Sequence, residues 1–124
     1  MSKLRKGSVL AVGALAALSV AVTGAFGVPA TQSATNVAVT AGKPSEFKFT
    51  LKPKTVKKGV VTFKVTNRGA LAHDFKIAGK KTKQIAKGKT ATLKITFKKA
   101  GKFAYLCTLP SHAAAGMKGT LVVK

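Results

Sequence analysis

Residues 103–123 read Phe-Ala-Tyr-Leu-Cys-Thr-Leu-Pro-Ser-His-Ala-Ala-Ala-Gly-Met-Lys-Gly-Thr-Leu-Val-Val. Phe103, Tyr105 and Cys107 fall on every second position, which places them on one face of an extended strand. Pro110 and Gly116 lie in the stretch that follows and suit a chain that must turn tightly. Gly119 to Lys124 then alternates again and returns as a last strand. A strand, a reversing loop and a strand are therefore predicted here, with Cys107 at the point where the first strand ends.

The same period of two extends outward through the chain. Phe47-Lys48-Phe49-Thr50-Leu51, Val61-Thr62-Phe63-Lys64-Val65, Phe75-Lys76-Ile77 and Leu93-Lys94-Ile95-Thr96-Phe97 all alternate apolar with polar residues. With Asn36–Ala41, Phe103–Cys107 and Thr120–Val123 they make about seven strands, divided by turn signals such as Asn67-Arg68-Gly69 and Ala100-Gly101-Lys102. No stretch beyond residue 30 carries a helical period. Short strands without helices predict an all-β sandwich or barrel, antiparallel in pairing. Lys48, Lys64, Lys76 and Lys94 each stand between two apolar residues and point outward, as expected for sheets with one dry and one wet face. Outward lysines also discourage pairing between sheet edges.

The first thirty residues differ in kind. Lys3, Arg5 and Lys6 precede an apolar run from Val9 to Val28, and Val28-Pro29-Ala30 offers small residues to a signal peptidase. Residues 1–30 are thus expected to be a secretory signal cleaved after Ala30, with Gly27 and Ala34 as other cut points. The alternative is an N-terminal membrane anchor that is retained, since about twenty apolar residues just span a bilayer. Residues 31–35 read as a polar linker and 36–124 as one domain. In either case the domain is expected outside the cytoplasm, in a periplasm, in the cell envelope or secreted.

Charge narrows the function classes. The chain carries +21, and the part beyond the signal has twenty basic residues against only Glu46 and Asp74, a net of +18. Such a field keeps copies apart, so a monomer is expected, and it attracts anionic surfaces. Export, and lysines spread evenly without an arginine cluster, argue against nucleic acid. Redox proteins with acidic docking surfaces, anionic envelope polymers and a membrane surface are the expected partners. Two carboxylates and no separate nucleophile–base pair leave little for an enzyme to work with.

One cysteine in an exported domain makes no intramolecular disulfide, so its thiol needs another role. Beyond the signal, the soft metal ligands are His73, Cys107, His112 and Met117, and three of them fall in the pattern Cys107-x4-His112-x4-Met117. Two imidazoles and a thiolate with a weak thioether are the donor set of a type 1 copper centre. Zinc takes the same nitrogens and thiolate, but a thioether is a poor ligand for it.

Asn67-x5-His73-Asp74-Phe75-x-Ile77, together with Tyr105-x-Cys107-Thr108-x-Pro110-x-His112-x4-Met117-x-Gly119-Thr120-Leu121, resembles the plastocyanin/azurin family of cupredoxins. The four-and-four ligand spacing is most similar to auracyanin-type members, and the resemblance covers Asn36 to Lys124. It implies a Greek-key antiparallel β-sandwich with one copper ion near one end. His73, Cys107 and His112 would be equatorial ligands and Met117 axial. It also implies that the edge of His112 emerges in an apolar patch of Leu71, Leu109, Pro110 and Ala113 to Ala115, the electron port. Two residues depart from the family pattern. Asp74 stands where an Asn usually follows the first His, and its carboxylate can accept from Thr108 but cannot donate. Ser111 stands where Gly commonly precedes the second His. A single-electron carrier is the function implied, with copper delivery without electron transfer as the alternative. A wall-binding sandwich without metal is a third reading that rests on charge alone.

Overall fold

The computed structural model describes residues 34–124. The signal assigned to residues 1–30 and the opening of the linker lie outside the described residues. Nine strands follow: β1 (Ala34–Ala41), β2 (Phe49–Lys52), β3 (Thr55–Val56), β4 (Gly59–Asn67), β5 (Lys76–Ile77), β6 (Lys80–Lys81), β7 (Thr90–Phe97), β8 (Gly101–Leu106) and β9 (Lys118–Val123). β1 thus takes in Ala34 and Thr35, the last two residues of the predicted linker. The two-residue strands β3 and β6 are too short to leave an alternation that a reader of sequence could find. Among the described residues no helix is long and apolar enough to cross a membrane.

The strands form two sheets, ordered β2-β1-β4-β7 and β3-β9-β8-β5-β6. The sandwich is as expected, but its sheets are mixed. β1 runs parallel to β4, pairing Ala34 with Val60 and Ala41 with Asn67, and β9 runs parallel to β3. The remaining pairings are antiparallel. Alternation has the same period in both arrangements, so it reports which face is buried and not which way a neighbour runs.

Inward residues of both sheets make a single core. β4 shows the rule: Val61, Phe63 and Val65 are buried while Lys64 between them is exposed. Five aromatic residues fill the middle. The Phe75 ring sits 5.3 Å from Phe49, 5.4 Å from Phe63 and 5.5 Å from Tyr105, and Phe63 reaches Phe97 at 6.3 Å. Truncating a buried ring such as Phe63 costs about 3–5 kcal/mol, so this cluster is a large share of what a domain this size has to spend.

The outside is almost wholly cationic. All twenty basic residues of the described domain are exposed. The only two carboxylates of the chain, Glu46 and Asp74, both lie at one end of the sandwich, where β4, β8 and β9 meet their loops. That end also gathers His73, Cys107, His112 and Met117.

Candidate metal centre

Each ligand candidate is placed by a different local device. His73 is fully buried and held by a two-way backbone bridge, with its N–H donating to Ile85 O (3.1 Å) and Ile85 N–H donating to His73 O (2.7 Å). The alternating stretch Phe75–Ile77 is a strand only over Lys76–Ile77, and His73 lies before it in an isolated bridge. Asn67, also fully buried, shapes the loop leading to His73. Its Nδ2 donates to Leu71 O and Ile85 O, both at 2.8 Å, and its Oδ1 accepts from Gly69 N–H at 2.9 Å. Every polar atom of that side chain is used, which is what burial demands.

Cys107 follows β8 and Met117 precedes β9, and both are fully buried. Cys107 N–H donates to Met117 O at 3.1 Å, closing the loop at its base. Inside it, His112 N–H donates to Leu109 O and Met117 N–H to His112 O, each at 3.1 Å. Two residues bend the loop through left-handed backbone, Gly116 (φ 110°) and Ser111 (φ 68°). The second is the position where the family pattern commonly has Gly. A glycine adopts that conformation without strain, whereas a side chain there is held against a penalty of about 1–2 kcal/mol.

The side chains converge. His73 Nδ1 and His112 Nδ1 are 3.2 Å apart, Cys107 Sγ is 3.4 Å from His112 Nδ1 and 4.0 Å from His73 Nδ1. The point equidistant from these three atoms lies about 2.1 Å from each. Imidazole nitrogen binds a first-row metal at about 2.0–2.1 Å and thiolate sulfur at about 2.3 Å. The spacing of the three donors would therefore admit a single ion between them. With the buried thioether of Met117 at the base of the same loop, the four residues are positioned as a type 1 copper site.

Asp74 ties the two ligand segments together. Its Oδ1 accepts from Thr108 N–H at 2.6 Å, its Oδ2 accepts from the Thr108 hydroxyl, and its own N–H donates to Cys107 Sγ at 3.4 Å. The family's usual Asn would fill this place with an amide. Here a carboxylate does so because both Thr108 groups can donate to it. Burial pushes the Cys107 thiol above its ordinary pKa, assisted by the negative charge of Asp74 and opposed by the amides of Asp74 and Leu109. Burial, and then the neighbouring His73, pull His112 below its ordinary value, leaving its ring neutral and able to coordinate. Of the predicted port residues, Leu71 is 47% exposed, Pro110 is exposed, and Leu109 is half-buried against the core with its carbonyl accepting from His112 N–H.

Two residues of the site were not singled out in the sequence. In sequence Glu46 stands out only as charge, yet its Oε2 lies 2.6 Å from His73 Nε2. The amides of Ala70 (2.8 Å) and Leu71 (3.1 Å) donate to the same carboxylate. The Ala70 amide is the main reason Glu46 is lowered to about 2, with Leu71 and His73 adding to it against the opposing effect of burial. Phe47 alternates with Phe49 and Leu51 in sequence, but β2 begins only at Phe49. It meets the His112 ring edge-on at 5.0 Å and 65°. The scarcity of carboxylates was the available signal: with two in the whole chain, each merits a specific partner.

A family model described as a cupredoxin-like domain matches residues 9–123. Among solved structures, the chain is similar to auracyanin A, a blue copper protein from the green thermophilic photosynthetic bacterium Chloroflexus aurantiacus. That match has a TM-score of 0.63 at 20% identity and covers 74% of this chain and 100% of that one. Auracyanin B matches with a TM-score of 0.62 at 21% identity, over 78% of this chain and 93% of its own. Rusticyanin from Thiobacillus ferrooxidans matches with 0.62 at 22%, over 73% and 77%. At these identities the likeness speaks for the fold. No curated protein matches the chain by sequence.

Proposed function

Because the chain belongs to the family of cupredoxin-like domains, we propose that it is an exported blue-copper protein that carries single electrons between redox partners outside the cytoplasm. The observation that carries this reading is the donor triangle of His73, Cys107 and His112, sized for one ion. When bound, copper supplies a Cu(I)/Cu(II) couple. The protein's share is to hold four donors in one arrangement for both states, so that little rearranges when an electron moves. Three of the four ligand residues are fully buried, which excludes water and favours a carrier over a delivery protein that must release its metal. Four protein donors leave no open position for a substrate, so the protein is read as no enzyme. Residues 1–30 act as the export signal.

His112 is the ligand residue that reaches the surface, and the exposed Pro110 of its own loop and the exposed Leu71 of the loop before His73 offer apolar contacts for a partner. Lys43 and Arg68 line a groove with Glu46 and Ala70, Lys48 reaches Gly116 of the ligand loop and Lys118 follows Met117, and these exposed cations fit an acidic partner surface. The deciding experiment is reconstitution of the mature domain with Cu(II), expected to give an intense blue colour that Cys107→Ala abolishes. A colourless protein, or colour that survives that substitution, ends the copper reading. Rapid loss of copper to a modest chelator would instead favour delivery. Electron exchange with an acidic partner is expected to fall steeply with added salt.

A further inference from the structure

The two histidines of the metal centre are supported from behind by consecutive residues of one loop. Phe47 packs its ring against His112, and Glu46 takes the outer nitrogen of His73. Glu46 is unusual in a chain so rich in lysine. Among the described residues its carboxylate makes an ion-pair contact with His73 and with no Lys or Arg. Two backbone amides of the loop before His73 hold that carboxylate in place. Gly69 leaves the room for it, since a Cβ on Gly69 would collide with Glu46 Oε2 and come within 2.9 Å of His73 Nε2.

A carboxylate accepts and does not donate, so the nitrogen facing it must carry the proton. His73 is then fixed with hydrogen on Nε2 and a lone pair on Nδ1, the atom that belongs to the donor triangle. A hydrogen bond from a ligand imidazole to a carboxylate also makes that imidazole a stronger donor. We propose that Glu46 is the positioning residue of this centre, which locks the His73 ring and tautomer through Nε2 and biases the site toward its oxidised state. The proposal rests on reading the site as a copper centre. It adds a residue that lies outside both ligand motifs and on a different loop.

The test uses E46Q and E46A in the mature protein, with wild type alongside. Ring ¹⁵N NMR on the copper-free protein should show His73 as a single Nε2–H tautomer in wild type. E46Q, whose amide oxygen still accepts, should keep that tautomer, and E46A should show a mixture. In the copper-loaded protein, E46A should release Cu(II) to EDTA about 10- to 100-fold faster. Both variants should have a raised midpoint potential, by about 59 mV for each tenfold loss of preference for Cu(II) over Cu(I). A structural role alone would lower thermal stability without moving the potential of the near-isosteric E46Q. An unchanged tautomer in E46A, or an unchanged potential in both variants, overturns the proposal. If E46A does not fold, the potential of E46Q decides. The blue colour of wild type reports separately on the copper reading, because the tautomer is read without metal.

Discussion

Gly69→Ala tests the support of His73 without touching a single polar group. An added methyl would lie against the carboxylate of Glu46, 3.0 Å from its Cδ and 2.9 Å from His73 Nε2. His73 is fully buried and bridged to Ile85, so it has nowhere to go. The Glu46 side chain is 26% exposed and yields by swinging into water. Its departure leaves a buried Nε2–H without a partner, which costs about 1–3 kcal/mol, and returns the Ala70 and Leu71 amides to solvent for somewhat less. The expected loss is roughly 2–4 kcal/mol, or roughly 10–25 °C in the melting temperature of a domain this size. Circular dichroism of the copper-free protein measures it, and chelator competition should show copper leaving about 10- to 100-fold faster. Gly79→Ala is the contrast. Gly79 has φ +79° and nothing near a built Cβ, so it should lose about 1–2 kcal/mol to backbone strain and leave copper dissociation unchanged. In the double variant G69A/E46A the clash with Glu46 is gone and only the 2.9 Å approach to His73 Nε2 remains, so G69A should cost less in the E46A background than in wild type. A G69A protein that melts within a few degrees of wild type and keeps its copper as tightly refutes the account.

Two further outcomes follow from the same geometry. Burial raises the Cys107 thiol and lowers His112, so at neutral pH the metal-free site carries its proton on sulfur and none on His112. Metal binding must therefore expel a proton, and apparent affinity should rise about tenfold per pH unit from neutrality up to the raised thiol pKa, flattening above it. Calorimetry with Zn(II) in buffers of different ionisation heat counts the proton, and a count near zero contradicts the assignment. Gly119→Ala tests the packing beneath the site. Gly119 sits opposite Tyr105 across β8 and β9, and a Cβ there would meet the Tyr105 hydroxyl and stand 2.5 Å from Cζ. Forcing that ring against Phe49 and Phe75 should cost about 1–3 kcal/mol by denaturant titration, and an unshifted midpoint would show that the ring moves freely.

What could be read in advance has a physical boundary. Val61, Phe63 and Val65 were legible as an inward face because burial imposes a period of two on composition. His73, Cys107, His112 and Met117 were legible because the chain has no other soft ligands beyond its first thirty residues. Strand direction left no trace, since β1 beside β4 alternates equally well parallel or antiparallel. The scarcity of carboxylates marks Glu46 but not its partner, because the link it makes spans 27 positions and depends on how two loops fold toward each other. Asp74 stands out in sequence because it adjoins a ligand residue. Ser111 was noticed as a departure, and its positive φ supplies the reason a glycine is common there.

The confinement of both carboxylates to one end leaves twenty exposed cations without an acidic counterpart on the outside. Two copies of this molecule meeting head to head must bring like charges together, and at low ionic strength that barrier acts before their histidine edges can touch. On the proposed reading as an electron carrier, exchange between identical copies would be slowed relative to exchange with an acidic partner. A population of such carriers would not readily level its own oxidation state, and each molecule would hold its electron until it met something unlike itself.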